Sequence, residues 1–373
     1  MKKILQVSKY YYPEVGGIEK IAEAISDSVV EKYEMKVICF TREILDRVDI
    51  VKDVEVIRCG TKQKIASQPI SVSIIKKIKK VLNEYNPDYV VIHEPNPYLS
   101  YFVLKYIDDS AKLIVYWHSD IIKQKIGEKI LRKFYFKELK RADIVVATSP
   151  NYIKGSIYLS SFREKCIVIP NCINERQLQI SNESHALAVK IRNENKDKII
   201  CVGIGRVVPY KGFEYLAKVA KLLDDRFVFF ISGRPGASTP IIENMTNNIC
   251  NFVLLGETSD VEQKAYLEAA DIFVFPSITK NEAFGIALAE GMYFGKPAVT
   301  FTIEGSGVNY VNVNQKTGIE VENKNIEEYA RALISLGENS DLRIKMGKNA
   351  KQRVCENFMF DSFKINVLRI FKD

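Results

Sequence analysis

The amino-acid sequence predicts an α/β protein of two doubly wound, Rossmann-like domains that face a central cleft. Short apolar runs rich in β-branched residues alternate with longer segments of helical periodicity along the whole chain. This pattern is typical of parallel sheets covered on both faces. It occurs twice, on either side of a polar stretch at residues 171–197. A length of 373 residues also exceeds that of one ordinary core, so two domains are expected.

Each predicted strand is a short apolar run bounded by turn residues. In the first half the strands are 2–7, 35–40, 54–58, 88–93, 111–117, 142–148 and 165–169, and in the second half 198–204, 226–232, 250–255, 271–276 and 297–301. Helices are predicted between them at 18–31, 70–85, 211–223, 259–269, 282–294, 324–337 and 341–357. The polar stretch contains the linker, so the N-terminal domain covers 1–175 and the C-terminal domain 176–357. In such folds ligands bind outside the carboxyl ends of the strands.

Composition argues against several classes of protein. No apolar run reaches the roughly 18 residues that span a bilayer. The first residues are typical of a strand rather than of a signal peptide. The seven cysteines are scattered and include no Cys-x-x-Cys pair, which argues against a disulfide or zinc framework. We therefore expect a cytoplasmic protein with reduced thiols.

The net charge of +8 lies entirely in the N-terminal half. Residues 1–180 hold 30 Lys and Arg against 22 Asp and Glu, whereas residues 181–373 hold 24 of each. Two segments concentrate the charge, with six lysines and no acid in 61–83 and eight bases against two acids in 123–141. Their bases alternate with apolar residues at helical spacing. This fits a helix on anionic lipid headgroups, or an ordinary surface helix whose apolar side is in the core. An anionic partner is expected, but not nucleic acid, because no binding motif accompanies the charge.

Glycines follow the first predicted strand of each domain. Gly16 and Gly17 precede a helix, where backbone N–H groups can approach a phosphate, although a simple turn has the same sequence. The second loop, residues 203–212, contains Arg206 and Lys211. Val208 replaces the third glycine of a dinucleotide fingerprint. The loop therefore offers two cations for a diphosphate, unless both are merely solvated surface charges.

Two glutamates occur eight residues apart after strand 271–276, in the segment Glu282-Ala283-Phe284-Gly285-Ile286-Ala287-Leu288-Ala289-Glu290. The segment is predicted to open a helix, which would place both carboxylates about two turns apart on one face. The free amides of residues 283–287 would then bind an anion. One carboxylate could hold sugar hydroxyls while the other accepts from ribose hydroxyls.

Two histidines are candidate site residues because each ends a predicted strand. His118 follows strand 111–117, and His93, the second choice, ends strand 88–93. Either histidine could also be purely structural. His185 falls in the polar stretch and is set aside.

Together these motifs resemble the family 4 retaining glycosyltransferases, which adopt the GT-B fold. The resemblance covers nearly the whole chain and rests on the Glu-x7-Glu segment, the Gly16-Gly17 loop and segments 118–120, 169–171, 205–206, 211–212, 269–271, 275–277 and 317–318. Segments 118–125 and 148–152 are similar to a bacterial subgroup of mannosyl- and rhamnosyltransferases.

The resemblance implies a role for each matching residue. Arg206 and Lys211 would bind the donor diphosphate, and Glu290 would bind the ribose. Glu282 would hold the transferred sugar and phosphate together with the amides of Phe284, Gly285, Ile286 and Ala287. Gly16 and Gly17 would contact the phosphate, and His118 would lie beside the anomeric centre. The N-terminal domain would bind the acceptor, the C-terminal domain would bind the nucleotide sugar, and a last helix at 358–373 would return to the N-terminal domain.

The implied reaction is transfer of a hexose, with mannose or rhamnose favoured and GDP-mannose the preferred donor. The acceptor would be a glycan or a polyprenyl-diphosphate-linked oligosaccharide for bacterial O-antigen, capsule or exopolysaccharide, held at the inner face of the plasma membrane. No Asp-x-Asp motif occurs, so Arg206, Lys211 and a helix N-terminus are expected to replace a metal ion. No cofactor is expected. The alternatives are a UDP-sugar-dependent transferase of this family, a sugar-nucleotide epimerase, a nicotinamide dehydrogenase and a non-catalytic protein that binds sugar nucleotides or a membrane.

Overall fold

The computed structural model describes residues 1–14, 16–61, 63–65, 68–120 and 128–372. It divides the chain into two compact units, one of Met1–Cys172 with Phe360–Asp373 and one of Ile173–Met359. Both points of division lie within three residues of the predicted boundaries. Parts of the two basic segments lie outside the described residues, namely Lys62 in 61–83, and Lys123, Lys125 and the apolar Ile126 in 123–141. Within the described ranges, no helix is long and apolar enough to cross a membrane.

The N-terminal unit is built around an eight-stranded sheet. Its strands are β1 (Lys3–Val7), β2 (Glu34–Thr41), β3 (Arg47–Val51), β4 (Val54–Gly60), β7 (Tyr89–Glu94), β8 (Lys112–Trp117), β9 (Ile144–Ala147) and β10 (Cys166–Val168). The short strands β5 (Gln63–Ile65) and β6 (Gln68–Ile70) form a separate two-stranded antiparallel sheet. The helices are α1 (Gly17–Val29), α2 (Val72–Tyr85), α3 (Pro97–Tyr106), α4 (Glu128–Arg141), α5 (Pro150–Gly155) and α15 (Phe360–Ile370).

The C-terminal unit is built around a six-stranded parallel sheet. Its strands are β11 (Ile199–Ile204), β12 (Phe227–Ser232), β13 (Phe252–Gly256), β14 (Ile272–Phe275), β15 (Ala298–Phe301) and β16 (Gly318–Val321). Its helices are α6 (Glu175–Leu178), α7 (Asn182–Glu194), α8 (Phe213–Ala220), α9 (Thr239–Thr246), α10 (Asp260–Ala269), α11 (Ile286–Tyr293), α12 (Val308–Val311), α13 (Ile326–Glu338) and α14 (Ser340–Asn357).

Both sheets have doubly wound topology. The strand order is β10-β9-β8-β7-β1-β2-β4-β3 in the N-terminal unit and β13-β12-β11-β14-β15-β16 in the C-terminal unit. All pairs are parallel except β3 with β4. In each sheet the first strand pairs on one side with the second strand and on the other side with a strand from much later in the chain. The direction in which successive strands are added to the sheet reverses between β1 and β7 and between β11 and β14. Ligands of such folds bind at the loops that follow these strands.

The last helix belongs to the N-terminal unit, where α15 packs against α1. The hydroxyls of Tyr33 and Tyr89 both donate to the carbonyl of Phe371, each at 2.9 Å. The ring of Phe371 also packs on both tyrosine rings, at centroid distances of 5.6 and 5.3 Å. The end of the chain is therefore attached to this unit by both polar and aromatic contacts.

The polar stretch 171–197, in which the linker was placed, contains a helix that was not predicted. Residues 182–194 form α7, which begins with a capping box between Ser181 and Ser184 and packs against α10. His185 lies on this helix, where its Nδ1 is 2.7 Å from a carboxylate oxygen of Glu268. The helix has little apolar character because only a narrow stripe of it is buried.

Candidate active site

The loops that follow β11 and β14 form the candidate donor site of the C-terminal unit. These strands are neighbours in the sheet, so their loops leave the same edge side by side. Gly212 has φ +69°, and a Cβ at this position would lie only 2.2 Å from the carbonyl oxygen of Pro276. Glycine is therefore required where the two loops cross, and the crossing holds one loop against the other.

Lys211 and Glu282 form the charged centre of this site. Lys211 Nζ makes an ion pair with Oε2 of Glu282, and Ser277 Oγ donates to the same oxygen at 3.2 Å. The two charged side chains are only 11% and 12% exposed. Lys211 Nζ also lies 4.8 Å from the ring centroid of Phe275. Because little water reaches the pair, its attraction is stronger than that of a fully exposed ion pair.

Arg206 lies in the same loop but is exposed. The preceding Gly205 has φ +155°, and a Cβ there would be 3.3 Å from Cε of Lys211. Gly233, after β12, approaches even more closely, since its Cβ would be 2.0 Å from the carbonyl oxygen of Gly205. Two glycines thus allow a third loop to pack beside the lysine, while the guanidinium of Arg206 remains accessible to a ligand.

Helix α11 begins at Ile286 and not at Glu282 as predicted. Gly285, with φ +95°, ends the preceding loop. Ser306 Oγ donates to the carbonyl of Glu282, which holds this loop away from helical geometry. Glu282 therefore lies before the helix and Glu290 within it, so the prediction that both carboxylates share one helix face is wrong.

The first turn of α11 keeps its expected anion-binding potential. The N–H groups of Ile286, Ala287 and Leu288 have no helical carbonyl four residues before them. Phe284 precedes them with a buried side chain that packs edge-on against Phe358, at 5.3 Å between ring centroids. Glu290 is buried one turn further along the helix.

In the N-terminal unit, the loop after β1 leads into the first turn of α1. Gly16 is the N-cap in an extended conformation, and α1 begins at the exposed Gly17. The buried guanidinium of Arg58 holds this loop by donating to the carbonyls of Tyr11, at 3.3 Å, and Tyr12. Asp49 on β3 balances the charge of Arg58 at 2.5 Å.

His93 and His118 meet at the carboxyl ends of β7 and β8. Nδ1 of His93 is 2.8 Å from Nε2 of His118, and the rings are nearly coplanar, with 10° between their planes. Both side chains are buried. Burial lowers the pKa of His118 to about 3. Burial, with a smaller contribution from His118, lowers the pKa of His93 well below its ordinary value. Both rings are therefore neutral at pH 7.

Comparison with known proteins identifies the family. Residues 15–177 match the model described as Glycosyltransferase Family 4, and residues 186–353 match the model described as Glycosyl transferases group 1. The chain is a family 4 glycosyltransferase. It is therefore a hexosyltransferase enzyme, and this favours the transferase over the epimerase, dehydrogenase and non-catalytic alternatives.

Individual relatives of this glycosyltransferase are similar over most of its length. It is 28% identical to O-antigen chain mannosyltransferase C of Escherichia coli, over 96% of this chain and 95% of the relative. It is 29% identical to D-rhamnosyltransferase WbpZ of Pseudomonas aeruginosa, over 79% and 75% of the two chains. Its fold is similar to that of sucrose-phosphate synthase from Thermosynechococcus elongatus, with a TM-score of 0.80, 15% identity and coverage of 100% and 98%. The predicted GT-B fold is confirmed.

The turn that carries His118 in this glycosyltransferase is fixed by contacts that the sequence did not reveal. Asp120 accepts hydrogen bonds from Trp117 Nε1 at 3.0 Å and from Ser156 Oγ at 2.7 Å. Its own N–H donates to the hydroxyl oxygen of Tyr152 at 2.6 Å. All four side chains are buried. The His-Ser-Asp triplet was the only signal, and it did not identify the partners of Asp120.

Two further features also escaped prediction. Arg58 supports the loop after β1, and Glu94, which follows His93 in β7, buries its carboxyl group against that of Glu138. Among the residues that the structure describes, no three His, Cys, Asp or Glu side chains are grouped so that they could hold a metal ion.

Proposed function

We propose that this glycosyltransferase moves a mannosyl or rhamnosyl group from GDP-mannose or a related GDP-sugar to a glycan or a polyprenyl-diphosphate-linked oligosaccharide. The product would contribute to a bacterial surface polysaccharide. The observation that carries the proposal is the Lys211–Glu282 ion pair beside the first turn of α11. It combines a cation for phosphate, a carboxylate for sugar hydroxyls and unpaired amides at the β11/β14 switch point.

Charge stabilisation is the main requirement of the reaction. When the bond between the sugar and the diphosphate breaks, negative charge develops on the phosphate oxygens. Lys211, Arg206 and the amides of Ile286 and Ala287 would stabilise this charge, and no metal ion would be required. Loss of one such donor typically costs about 3 kcal/mol, or a hundredfold in rate. Gly16 and Gly17 would add amide donors, and His118 would orient the transferred sugar.

Glu282 would have two successive partners. Without a ligand its carboxylate is paired with Lys211. A donor phosphate would compete for this lysine, and the carboxylate would then accept hydrogen bonds from sugar hydroxyls. Glu290, buried in the first turns of α11, would accept from the ribose hydroxyls. We propose that the sugar is transferred with retention by attack on the face from which the diphosphate leaves.

The choice of donor and acceptor is supported by the relatives. The two curated relatives described above carry the names of a mannosyltransferase and a rhamnosyltransferase, and the first name also contains the O-antigen chain. At 28% and 29% identity, these names favour mannose or rhamnose as the transferred sugar, and GDP-mannose is therefore the first donor to test.

A donor screen tests the proposal. Purified enzyme is incubated with GDP-mannose, GDP-rhamnose, UDP-glucose and UDP-N-acetylglucosamine, each with a synthetic polyprenyl-diphosphate acceptor and each with and without EDTA. Release of nucleoside diphosphate is measured, and the product anomer is determined by NMR. We expect a GDP-sugar to be consumed equally with and without EDTA. Turnover that is lost with EDTA and restored by manganese would refute the metal-independent mechanism. Turnover of UDP-sugars alone would refute the proposal that the donor is a GDP-sugar.

A pair of double variants tests the charged site. Arg206→Ala with Lys211→Ala should lower kcat at least a hundredfold. The matched control is Lys218→Ala with Lys221→Ala, which removes two exposed cations from the same unit. Equal turnover in the two double variants would show that the charged loop does not stabilise the leaving group.

We also propose that an anionic membrane surface is a partner of the N-terminal unit. The apolar side of α2 is buried in the core, as expected of an ordinary surface helix, so a lipid contact of α2 would be made by its exposed bases Lys76, Lys79 and Lys80 and not by that apolar side. Val72 at its start is 69% exposed, and Ile130 on α4 is 75% exposed. Basic residues beside exposed apolar ones are typical of proteins that lie on anionic lipid.

Vesicle sedimentation tests the membrane contact. The enzyme should bind vesicles of phosphatidylglycerol and not vesicles of phosphatidylcholine. Exchange of Lys76, Lys79 and Lys80 for glutamate should abolish this binding. The same exchange at the exposed Lys345, Lys348 and Lys351 of α14 is the control. Equal loss in both triple variants would indicate a nonspecific effect of net charge.

A further inference from the structure

The hydrogen bond between the two buried histidines restricts the position of their protons. It joins Nδ1 of His93 to Nε2 of His118 at 2.8 Å. Both imidazoles are neutral near pH 7, so each carries one proton on one of its two nitrogens. One of the two bonded nitrogens must therefore donate and the other must accept. This leaves two arrangements, which differ in the nitrogen that each ring leaves protonated.

The second nitrogen of His93 distinguishes these arrangements. Nε2 of His93 is buried and has no hydrogen-bond partner among the described residues. If His118 donated, His93 would carry its proton on Nε2 and bury an N–H group without an acceptor. Buried N–H groups of this kind are rarer than acceptors that are left unused. His93 is therefore protonated on Nδ1 and donates to His118.

We infer that His93 is a positioning residue that fixes His118 as the neutral tautomer protonated on Nδ1, so that His118 presents an N–H donor and not a base. The inference deepens the proposed function, since it rests on the role of His118 at the transferred sugar. An N–H donor can hold a sugar hydroxyl or a phosphate oxygen. It cannot accept the proton of the attacking hydroxyl, which must pass to another group such as the leaving phosphate.

The orientation of the His118 ring is fixed by several contacts. The main-chain N–H of His118 donates to the carbonyl of Glu94 at 2.9 Å, which continues the pairing of β8 with β7. The ring of Tyr116 packs against both imidazoles, with centroids 5.4 Å from His118 and 5.7 Å from His93. With Nε2 of His118 engaged by His93, Nδ1 is the nitrogen left for a ligand.

Imidazole ¹⁵N NMR of the complete protein tests the tautomers directly. The chain has three histidines, and His185 in the other unit can be assigned with a His185→Gln variant. At pH 7 we expect His118 to show a protonated Nδ1 and an unprotonated Nε2, and His93 to show the same pattern. A spectrum in which His118 is protonated on Nε2, or on both nitrogens, would overturn the inference.

Two substitutions of His93 test its effect on the reaction. His93→Asn keeps an N–H donor close to the position of Nδ1, whereas His93→Leu removes it. We expect His93→Leu to give mixed tautomers at His118 and to lower kcat at least tenfold, with little change in the KM for the donor. His93→Asn should restore the single tautomer and most of the rate. An unchanged His118 tautomer and rate in His93→Leu would overturn the inference.

The same experiments separate this inference from the proposed function. If His118→Ala transfers sugar at the normal rate while the NMR spectrum shows the expected tautomers, the role of His118 is wrong and its positioning by His93 stands. Fluorescence of the single tryptophan, Trp117, reports whether each variant folds, since this residue lies next to His118 in the same unit. If His93→Leu does not fold, the wild-type spectrum and His93→Asn still decide the tautomer.

Discussion

The buried carboxyl pair of the N-terminal unit should make its stability fall as the pH rises. Glu94, the last residue of β7, and Glu138 on α4 are both fully buried and contact one another. Ser100 Oγ and the N–H of Asn96 donate to Glu94. Ser100 also lies close to Glu138, but among the described residues no backbone N–H donates to the Glu138 carboxyl group. Two ionised carboxylates would repel each other there, so the pair retains at least one proton.

The magnitude follows from the change in pKa. Burial raises the pKa of Glu94 from 4.5 to about 7, and burial together with the charge of Glu94 raises that of Glu138 well above its ordinary value. Between pH 4.5 and about pH 7, Glu94 keeps its proton in the folded chain and releases it in the unfolded chain. The free energy of unfolding therefore falls as the pH rises from about 4.5 to about 7. At 1.4 kcal/mol per pKa unit, Glu94 alone accounts for a loss of roughly 3 kcal/mol.

Replacement of Glu138 by glutamine tests this pH dependence. The amide keeps the shape, carries no charge and offers Glu94 a donor, so the variant should lose less stability than the wild type above pH 6. Urea unfolding is followed at pH 5.5, 6.5, 7.5 and 8.5 through Trp117, whose ring packs on Tyr135 beside the pair at 5.1 Å. Glu84→Gln, at an exposed position of α2, is the control. Parallel stability curves for the wild type and Glu138→Gln would refute the shared proton.

Three further predictions concern other buried contacts. Gly212→Ala should destabilise the C-terminal unit by roughly 2–4 kcal/mol in calorimetry, because its Cβ would collide with the carbonyl of Pro276. Asp49→Asn should reduce the free energy of unfolding of the N-terminal unit by about 3 kcal/mol, since it leaves the buried charge of Arg58 without its carboxylate partner. The change is measured as a lower urea midpoint in the fluorescence of Trp117. Burial lowers the pKa of Lys296 to about 8, so stability should rise between pH 8 and 10.5 in the wild type and not in Lys296→Met.

The strands could be predicted because parallel strands buried on both faces are nearly continuous apolar runs. Every predicted strand is present, with ends within two residues of those expected. Four strands of the described structure were not predicted, namely β3, β5, β6 and β16. Of these, β3 is an edge strand in which Val48 and Ile50 are exposed, so it has no such run. Several helices were also not predicted, among them α3, α7 and α9. The buried stripe of α7 consists only of Ser184, Ala188 and Ile191, which are too small and polar to indicate helical periodicity.

The sequence predicted which residues belong to the candidate site, but it did not predict which of their side chains contact one another. Strand ends and glycines identified Lys211, Glu282, His93 and His118 one at a time. Their pairing depends on which strands are neighbours, and only the sheet order gives that information. The start of α11 was misplaced because the apolar periodicity begins before the helix does. The contact between Ser306 and the carbonyl of Glu282, which keeps that segment in a loop, is invisible in local sequence.

The misplaced helix start changes how the Glu-x7-Glu segment is understood. On a helix, Glu282 would be held rigidly in line with Glu290. In the loop, it is held by Lys211 and Ser277, and the lysine is also the proposed ligand of the donor phosphate. Binding of the donor phosphate to Lys211 would therefore weaken the ion pair between Lys211 and Glu282. The free energy gained from the phosphate–lysine contact would be partly offset by the weakening of this ion pair. On the proposed mechanism, the carboxylate would become available for a sugar only when a diphosphate is present, which would couple recognition of the two halves of the donor.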